Sequence, residues 1–240
     1  MNRKTKRILN ELKELQESVE IFKESGIHYY FNDENIEKVY IMLLGPEDTP
    51  YEKGFYFFTL EYPENYPMVP PNMKFCTNGS LFNYLQKPIK IRFNPNLYTS
   101  GKVCLSMLNT WKGPGWVPTN TVSNILVAIQ ALVFNQEPLR NEPGFENSDS
   151  KEINLYNEVI SFSNIKISVC DQLNTANLGD FEYFRPQMIE YVKKYKSYYE
   201  KIKKETEDKE IHSVAYGMHV ILDFCNLNTY YDSVITKLKI

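Results

Sequence analysis

The chain has 240 residues, a formal net charge of −3 and a hydrophobic fraction of 42%. This length accommodates one large domain or a medium-sized domain with an appendage, and the apolar fraction is sufficient for a packed core. A net acidic chain without an apolar stretch of membrane-spanning length is typical neither of general nucleic-acid binders nor of membrane proteins, so we predict no nucleic-acid partner and no membrane partner.

The N-terminal part of the sequence predicts one helix followed by four strands. Apolar residues recur with the four–three spacing of a helix face: Ile8, Leu12, Leu15, Val19 and Phe22. Gly26 is a typical helix end. The next segments are rich in aromatic and β-branched residues and predict strands over 27–31, 38–45, 54–62 and 72–76. Their links are short, beginning with a turn at 32–35, so we expect an antiparallel meander.

A rigid loop and a second helix complete the predicted first domain. Four prolines in residues 62–72 predict an extended loop, because proline lacks an N–H and has a fixed φ. Residues 117–138 contain an apolar helical face, with Thr121 or Ser123 as the expected N-cap. That face comprises Ile125, Ile129, Leu132 and Val133. We therefore predict an α+β fold with an N-terminal helix, a four-stranded antiparallel meander and a central helix packed on the sheet.

The last ninety residues predict a helical appendage. One apolar stripe indicates a single helix through Met188, Val192, Tyr195, Tyr199 and Ile202. Two further short helices are expected at 212–225 and 230–240. We predict a core domain over 1–150 and a helical C-terminal extension over 151–240 that packs on it. Its first helix, near 151–174, is expected to contact the core, and the later helices to form an outer surface.

The cysteines indicate free thiols. The four are far apart in the sequence, at Cys76, Cys104, Cys170 and Cys225. They have no metal-site spacing with one another or with the three histidines, which are His28, His212 and His219. We expect no metal, no other cofactor, no signal peptide and a reducing cytoplasmic or nuclear location.

Cys104 stands in a different setting from the other cysteines. A free cysteine in an intracellular protein is usually a small core residue, and that interpretation suits Cys76, Cys170 and Cys225. Cys104 instead follows the polar turn "TSGK" in a stretch dense with Asn, Pro and Gly. Functional residues are frequent in such irregular segments. On this evidence Cys104 is either a core residue or a nucleophile.

The residues around Cys104 resemble a known active site. "FNPN" at 93–96, then Cys104-Leu105, then Trp116 and Pro118 are similar to ubiquitin-conjugating enzymes, in which a His-Pro-Asn motif precedes the cysteine at this spacing. The similarity extends through 45–75 and through "EPLRNEPGFE" at 137–146. It is most specific to the large class with a C-terminal helical extension. That class is related to the enzyme that carries both ubiquitin and a ubiquitin-like modifier, and to the conjugating domain of giant apoptosis-inhibitor ligases.

This resemblance implies a fold and an activity. The chain is expected to have the fold of that family and to be a transferase in an ATP-dependent pathway. It would accept ubiquitin or a ubiquitin-like modifier from an activating enzyme as a thioester on Cys104, and pass it to a lysine or to a RING-type or other ligase. The incoming thioester is already activated and a thiol is intrinsically nucleophilic, so no attached base is required.

The resemblance also implies roles for three residues near the cysteine. Asn96 matches the motif asparagine, which supports the loop and helps to stabilise the oxyanion. Glu142 falls where the family has an acidic or hydroxyl residue that orients the attacking lysine. Asn94 replaces the motif histidine as a loop support. The alternatives are a turn-forming role for Asn96 and a solvated loop charge for Glu142.

Two surfaces are candidate contacts for partners. The loops that meet RING-type ligases in the family correspond to Met68, Val117 and Pro118. Met68 could instead fill its own loop. An N-terminal basic cluster is the candidate contact for the activating enzyme and comprises Arg3, Lys4, Lys6 and Arg7. A solvated helix end or an import signal are the alternatives.

The sequence departs from the family at two further places and leaves two other functions open. Residues 78–90 are longer than in small members, and 109–116 form an expansion beside the cysteine that is expected to reshape the entrance. One alternative is an inactive variant that only binds ubiquitin, although such variants characteristically lose the cysteine. The other is a papain-like hydrolase, which would require a histidine close to Cys104.

Overall fold

The structure is a computed structural model and describes residues 2–32, 34–202, 207–212 and 215–239. In these ranges the α-helices are α1 (Arg3–Glu17), α2 (Val19–Glu24), α3 (Val122–Ala128), α4 (Ser150–Ser163), α5 (Gln172–Asn174), α6 (Arg185–Lys194), α7 (Lys196–Ile202) and α8 (Phe224–Leu238). A π-helical turn follows α3 at Ile129–Val133, and another follows α4 at Asn164–Asp171. Short 3₁₀ turns lie at Ser106–Leu108, Pro138–Asn141, Gly179–Phe184 and Ala215–Gly217. The strands are β1 (Ile27–Asn32), β2 (Asn35–Leu44), β3 (Phe55–Glu61), β4 (Asn72–Phe75), β5 (Ser80–Phe82), β6 (Pro88–Lys90), β7 (Lys209–His212) and β8 (His219–Leu222).

The predicted meander is confirmed. Strands β1 to β4 form one antiparallel sheet in sequence order. Strand β2 begins at Asn35, earlier than predicted, and Asp33 of the predicted first turn lies outside the described residues. The predicted N-terminal helix is divided at Ser18 into α1 and α2, and Gly26 then turns the chain into β1 with a φ of +73°. The fold class is α+β, as predicted.

One face of the sheet packs against α1 and the central helix. Ile8, Leu12 and Leu15 of α1 are fully buried. Phe134, at the end of the central helix, lies 4.7 Å from the Tyr56 ring in β3. The π turn shifts the helical register, because it adds a residue to one turn. Val133 and Phe134 are therefore buried while Leu132, predicted to be in the core, is 60% exposed.

The other face of the sheet is covered by the C-terminal part of the chain. Met42, Phe55 and Phe57 point to this face and are at most 2% exposed. The Phe181 ring lies 4.8 Å from Phe57, and Tyr191 of α6 contacts Phe55. The sheet is thus the middle of three layers. The later helices were expected to form an outer surface, but the ring contacts of Phe181 and Tyr191 show that this part of the chain also packs on the sheet.

Two further predictions for the C-terminal part are corrected by the structure. The helix predicted through residues 188–202 is interrupted at Tyr195, between α6 and α7. The helix predicted at 212–225 is wrong: strands β7 and β8 form an antiparallel hairpin there, with Ser213 and Val214 outside the described residues. Burial alternates along β8, as the period of a strand requires. The last predicted helix begins earlier, at Phe224, where the Asp223 side chain caps α8, and Ile240 at its predicted end is not described.

The junction between the two predicted domains is a capped helix start. Asp149 accepts a hydrogen bond from the Glu152 N–H at the beginning of α4. Asn164, in the π turn after α4, then binds both the Tyr56 hydroxyl and the Glu52 carbonyl. The boundary at residue 150 stays a prediction. Within the described ranges no helix combines the length and the apolar character needed to cross a lipid bilayer.

Candidate active site

The C-terminal end of the central helix is fixed by asparagine side chains. A helix end leaves its last carbonyls without intrahelical partners. The Nδ2 atoms of Asn135 and Asn141 each lie 3.0 Å from the Leu132 carbonyl oxygen. Asn94 Nδ2 donates to the Val133 carbonyl at 2.6 Å. The start of α3 is equally well defined, by a capping box between Thr121 and Asn124. This helix therefore provides a rigid wall beside the "FNPN" motif.

Both polar atoms of the Asn94 side chain form hydrogen bonds, and these connect the central helix with the "FNPN" motif. It is fully buried, and its Nδ2 atom also donates to the Tyr51 hydroxyl at 2.9 Å. Its Oδ1 atom accepts the Asn96 N–H at 2.8 Å, while Tyr51 donates to the Phe93 carbonyl. Burial raises the pKa of Tyr51, so this phenol is a neutral donor at ordinary pH. An amide with two donors and one acceptor can thus bridge the motif without a charge.

Cys104 lies in a loop whose backbone is held on both sides. Its N–H donates to the Asn96 carbonyl at 2.8 Å, and Asn96 Nδ2 donates to the Cys104 carbonyl at 2.7 Å. The Thr110 hydroxyl accepts the Leu105 N–H and lies 2.8 Å from the Val103 carbonyl. The backbone at Cys104 is therefore pinned before, at and after the cysteine. Sequence reasoning missed Thr110, since nothing in its spacing signals this contact.

Asn96 has further hydrogen-bonding capacity at this site. The residue is 7% exposed, and its Oδ1 atom has no partner among the described residues. Its Nδ2 carries two hydrogens, of which the bond to the Cys104 carbonyl uses one. The bond from Asn96 to the Cys104 carbonyl therefore supports the cysteine loop. The oxyanion role of Asn96 stays a prediction.

The thiol of Cys104 is covered in this conformation. The residue is 1% exposed, and its sulfur makes no hydrogen bond to the described residues. Attack on a thioester requires contact between sulfur and the carbonyl carbon. Loading of Cys104 therefore requires a local displacement of the atoms that cover it.

A groove of about 380 Å³ runs beside the Cys104 loop. One wall comes from the motif and the cysteine loop, and the other from the end of the central helix and the 3₁₀ turn after it. The expansion at 109–116 contributes Trp111 and Lys112 to the lining. The remaining lining residues are Asn96, Leu105, Ser106, Ala131, Leu132, Val133, Asn135 and Asn141. The expansion thus lies at this groove, as its position in the sequence suggested.

Glu142 follows the 3₁₀ turn Pro138–Asn141 and is half-buried. Its N–H donates to the Leu139 carbonyl, and its own carbonyl accepts the Phe145 N–H. Its carboxylate accepts a hydrogen bond from the Tyr216 hydroxyl, 74 residues away in the turn between β7 and β8. Glu142 is therefore not a freely solvated charge, and Tyr216 is a contact that sequence spacing could not reveal.

The structure brings the three predicted ligase-contact residues together. Met68 is 62% exposed, Val117 is 49% exposed and Pro118 is exposed. The Trp116 indole N–H donates to the Pro67 carbonyl at 2.7 Å, and this bond joins the two loops. The apolar tip of Met68 does not fill its own loop. The ligase-binding role itself stays a prediction.

The basic cluster is not one exposed patch. Lys4 is buried and forms ion pairs with Glu37 at 2.8 Å and Glu64 at 3.5 Å. Arg7 bonds the Glu11 carboxylate and the Asn120 carbonyl. Two of the four predicted contacts are thus engaged inside the fold. The exposed members are Arg3 and Lys6.

Glu11 is a second residue that sequence reasoning missed. It is 3% exposed, although the helical pattern places it among charged neighbours. It accepts hydrogen bonds from Arg7, from the Tyr66 hydroxyl and from the Val122 N–H at the start of α3. A carboxylate at a helix N-terminus is favoured by the helix dipole. Glu11 therefore joins α1, the proline loop and the central helix.

The histidines make their contacts elsewhere. His28 Nε2 lies 2.9 Å from the Tyr191 hydroxyl, and His212 and His219 face each other across the β7–β8 hairpin with 3.2 Å between their Nδ1 atoms. A papain-like hydrolase requires an imidazole next to its cysteine, and none of these histidine contacts involves Cys104. Over the described ranges, no three His, Cys, Asp or Glu side chains converge as metal ligands.

Comparisons with known proteins agree with this geometry. Residues 7–158, more than half of the chain, match the family model described as Ubiquitin-conjugating enzyme. The chain is 41% identical over 159 residues to Ubiquitin-conjugating enzyme E2 Z of Xenopus tropicalis, which covers 64% of this chain and 47% of that protein. It is 43% identical over 143 residues to the Homo sapiens E2 Z, covering 58% and 37%. Against the Homo sapiens dual E2 ubiquitin-conjugating enzyme/E3 ubiquitin-protein ligase BIRC6 it is 36% identical over 149 residues, covering 60% and 3%. The chain thus spans less than half the length of each of these relatives.

Proposed function

The chain belongs to the ubiquitin-conjugating enzyme family, and from that premise we propose that it carries ubiquitin or a ubiquitin-like modifier as a thioester on Cys104. The observation that carries the proposal is the reciprocal pair of hydrogen bonds between Asn96 and Cys104. Together with Thr110, these bonds hold the backbone of one cysteine of the four in a defined loop beside a groove. A fixed nucleophile of this kind lowers the entropic cost of the reaction.

Loading is a thioester exchange. The Cys104 thiolate attacks the carbonyl carbon of the modifier's C-terminal residue, which the activating enzyme holds as a thioester. A new C–S bond forms at Cys104, and the activating enzyme's sulfur leaves as a thiolate that takes up the proton Cys104 lost. The free energy of ATP is spent by the activating enzyme, so this chain needs no cofactor for the step. The groove beside Cys104 is a fitting path for the extended tail of the modifier.

Discharge transfers the modifier to a lysine or to a ligase cysteine. A neutral lysine amine attacks the thioester carbon, an isopeptide bond forms, the Cys104 thiolate leaves and the amine loses one proton. Glu142 orients the amine and helps to accept that proton. Asn96 donates to the oxyanion with the second hydrogen of its amide, and the first keeps the loop in place.

The proposed partners follow from the exposed surfaces. Met68, Val117 and Pro118 form a projecting apolar surface that suits a small, transient interface with a RING-type ligase. For the activating enzyme, Arg3 and Lys6 are the members of the basic cluster that are exposed for contact. The proposed location is cytoplasmic, nuclear or both.

One observation favours a second candidate function, a non-catalytic binder of the modifier. Cys104 is 1% exposed, which is unusual for a residue that must meet a large substrate. Retention of the cysteine in a pinned loop supports the catalytic function over this candidate. Loading decides between them, because a binder forms no covalent adduct.

The test is a loading reaction with an activating enzyme, ATP and ubiquitin or a related modifier, resolved on a gel without reducing agent. The wild-type chain should form an adduct that thiols remove. Cys104→Ser should form an oxyester that survives thiols but not alkali, and Cys104→Ala should form none. Cys225→Ala is the matched control, since Cys225 is exposed in α8, and it should load normally. An adduct on Cys104→Ala, or none on the wild type across a panel of activating enzymes and modifiers, would overturn the proposal.

A further inference from the structure

Tyr216 brings the C-terminal part of the chain into contact with Glu142 and with Arg92, the residue just before the "FNPN" motif. It lies in the turn that connects β7 and β8, with a φ of +59°, and Gly217 beside it has a φ of +61°. A tyrosine in this left-handed region is uncommon, and such residues persist where their surroundings fix them. The turn projects the Tyr216 side chain towards residues 92 and 142, far from it in the sequence.

The Tyr216 ring packs on an arginine that supports the cysteine motif. The Arg92 guanidinium lies between two tyrosine rings, 4.3 Å from the centre of Tyr216 and 3.8 Å from the centre of Tyr98. Arg92 Nη2 donates to the Pro95 carbonyl, inside the "FNPN" motif. Tyr156 of α4 donates to the Arg92 carbonyl and also contacts the Tyr216 ring. The cluster therefore fixes Tyr216 against the segment that precedes Cys104.

The Tyr216 hydroxyl binds one oxygen of Glu142. It donates to Oε2 of that carboxylate. The other oxygen, Oε1, has no hydrogen-bond partner among the described residues. A carboxylate tied by one oxygen has a defined orientation and retains acceptor capacity on the other.

We infer that Tyr216 is a positioning residue for the discharge step, which holds the Glu142 carboxylate so that Oε1 remains available to the incoming amine. The inference rests on the proposed function and deepens it, because it assigns a part in lysine transfer to the C-terminal part of the chain. Tyr216 touches neither the modifier nor the amine in this account and acts through Glu142. Burial and the bond to Glu142 raise the pKa of Tyr216, so its hydroxyl keeps its proton at neutral pH.

The test compares four variants in single-turnover discharge to free lysine, each loaded beforehand. Tyr216→Phe keeps the ring on Arg92 and removes the hydroxyl, and it should load normally but discharge about fivefold more slowly, the effect of one typical hydrogen bond. Glu142→Ala should be at least as slow. The double variant should be no slower than Glu142→Ala, because the two residues act as one unit. Tyr230→Phe is the matched control and should equal the wild type, since it removes a similar bond from a tyrosine to the Asp171 carboxylate.

The outcomes separate this inference from the proposed function. Wild-type discharge by Tyr216→Phe would overturn the positioning role. An equal slowing by Tyr216→Phe in the presence and absence of Glu142 would also overturn it, because the hydroxyl would then act on the fold. If the wild type does not load at all, the proposed function fails and the inference fails with it. Loading rates report folding, so a misfolded variant would be recognised before discharge is measured.

Discussion

The Cys104 loop and the C-terminal part of the chain are held in place mainly by different side chains. Around Cys104 asparagine amides are the main side-chain donors to main-chain carbonyls, and the hydroxyls of Thr110 and Tyr51 supplement them. The C-terminal part attaches through tyrosine hydroxyls, which donate to the main-chain carbonyls of Lys23, Glu52, Lys53 and Arg92. The tyrosines are Tyr191, Tyr198, Tyr199 and Tyr156 respectively.

This difference reflects what each region must do. A short amide fixes a loop at one point and occupies little space, as a site next to a groove requires. A tyrosine buries a large ring and still satisfies a buried carbonyl with its hydroxyl, which suits the attachment of one layer to another. The C-terminal part is therefore a third layer of the fold, and through Tyr216 it also contacts Glu142, which follows the 3₁₀ turn Pro138–Asn141.

Removal of the later helices tests whether the C-terminal part is a layer of the fold, and we expect it to have the largest effect on stability. A chain that ends at Thr175 would uncover Met42, Phe55 and Phe57 on the outer face of the sheet. Each loses about 1.5–3 kcal/mol of burial free energy, a large share of the stability of a typical domain. We expect aggregation or loss of cooperative unfolding, measured by size-exclusion chromatography and urea titration. A soluble monomer with the wild-type urea midpoint would show that the third layer is dispensable.

Asn164 and Asn157 depart from the tyrosine pattern, and Asn164 gives the next largest effect. It is 2% exposed, accepts from the Tyr56 hydroxyl at 2.6 Å and donates to the Glu52 carbonyl at 2.8 Å. Asn164→Ala should lower the free energy of unfolding by about 2–4 kcal/mol, because the buried Tyr56 hydroxyl loses its acceptor and the Glu52 carbonyl keeps only its bond from Tyr198. Asn157→Ala in the preceding helix α4 removes one bond at a half-buried position and should cost about 1 kcal/mol. Equal urea midpoints for the two variants would contradict this prediction.

Substitutions at Asn96 and Tyr199 should have separate effects, one on the rate of discharge and the other on stability. Asn96→Ala should still load but discharge about 10²-fold more slowly, the typical loss for an oxyanion donor. Glu142→Ala should show a smaller defect of the same kind. Tyr199→Phe, which loses a bond to the Lys53 carbonyl, should instead lower stability by about 1 kcal/mol and leave discharge unchanged. Normal single-turnover discharge by both Asn96→Ala and Glu142→Ala would show that their assigned roles are wrong.

The last prediction is a pH dependence from His28, which contacts Tyr191 between the sheet and the C-terminal layer. Burial and nearby Lys23 lower the pKa of His28 to about 4. Between that value and the ordinary 6.5 the unfolded chain binds more protons, so stability present above pH 6.5 is lost as the pH falls towards 4. The loss between pH 7 and pH 5 should be about 2 kcal/mol. His28→Gln should lack this loss of stability. The measurement is the change in the free energy of unfolding between pH 7 and pH 5. The same change in both proteins would exclude His28 as its source.

The sequence predicted the first domain better than the C-terminal part for physical reasons. The meander strands carry long runs of aromatic and β-branched residues, which indicate strands. The short links between them indicate that neighbouring strands pair antiparallel. The run that contains Val220 and Ile221 is short and apolar, and such a run fits a helix or a strand until its partner strand β7 is known. The exposure of Leu132 depends on the π turn, which shifts the helical register that periodicity assumes.

Sequence also predicted some residues of the candidate site and missed others. The cysteine loop was identified through the resemblance of Asn96 and Cys104, at their spacing, to the family motif. Glu11 and Tyr216 gave no signal, because each depends on partners many residues away. Lys4 and Arg7 were counted as surface charges, since sequence alone does not reveal the carboxylates that pair with them.

Mapping the site of the adduct tests the central claim most directly. The chain is loaded with modifier, its remaining thiols are alkylated, and the thioester is then cleaved with hydroxylamine, so that the freed cysteine takes a second, isotopically distinct label. The account predicts that mass spectrometry finds this second label on Cys104 and only the first label on Cys76, Cys170 and Cys225. A second label on another cysteine, with Cys104 alkylated from the start, would contradict it.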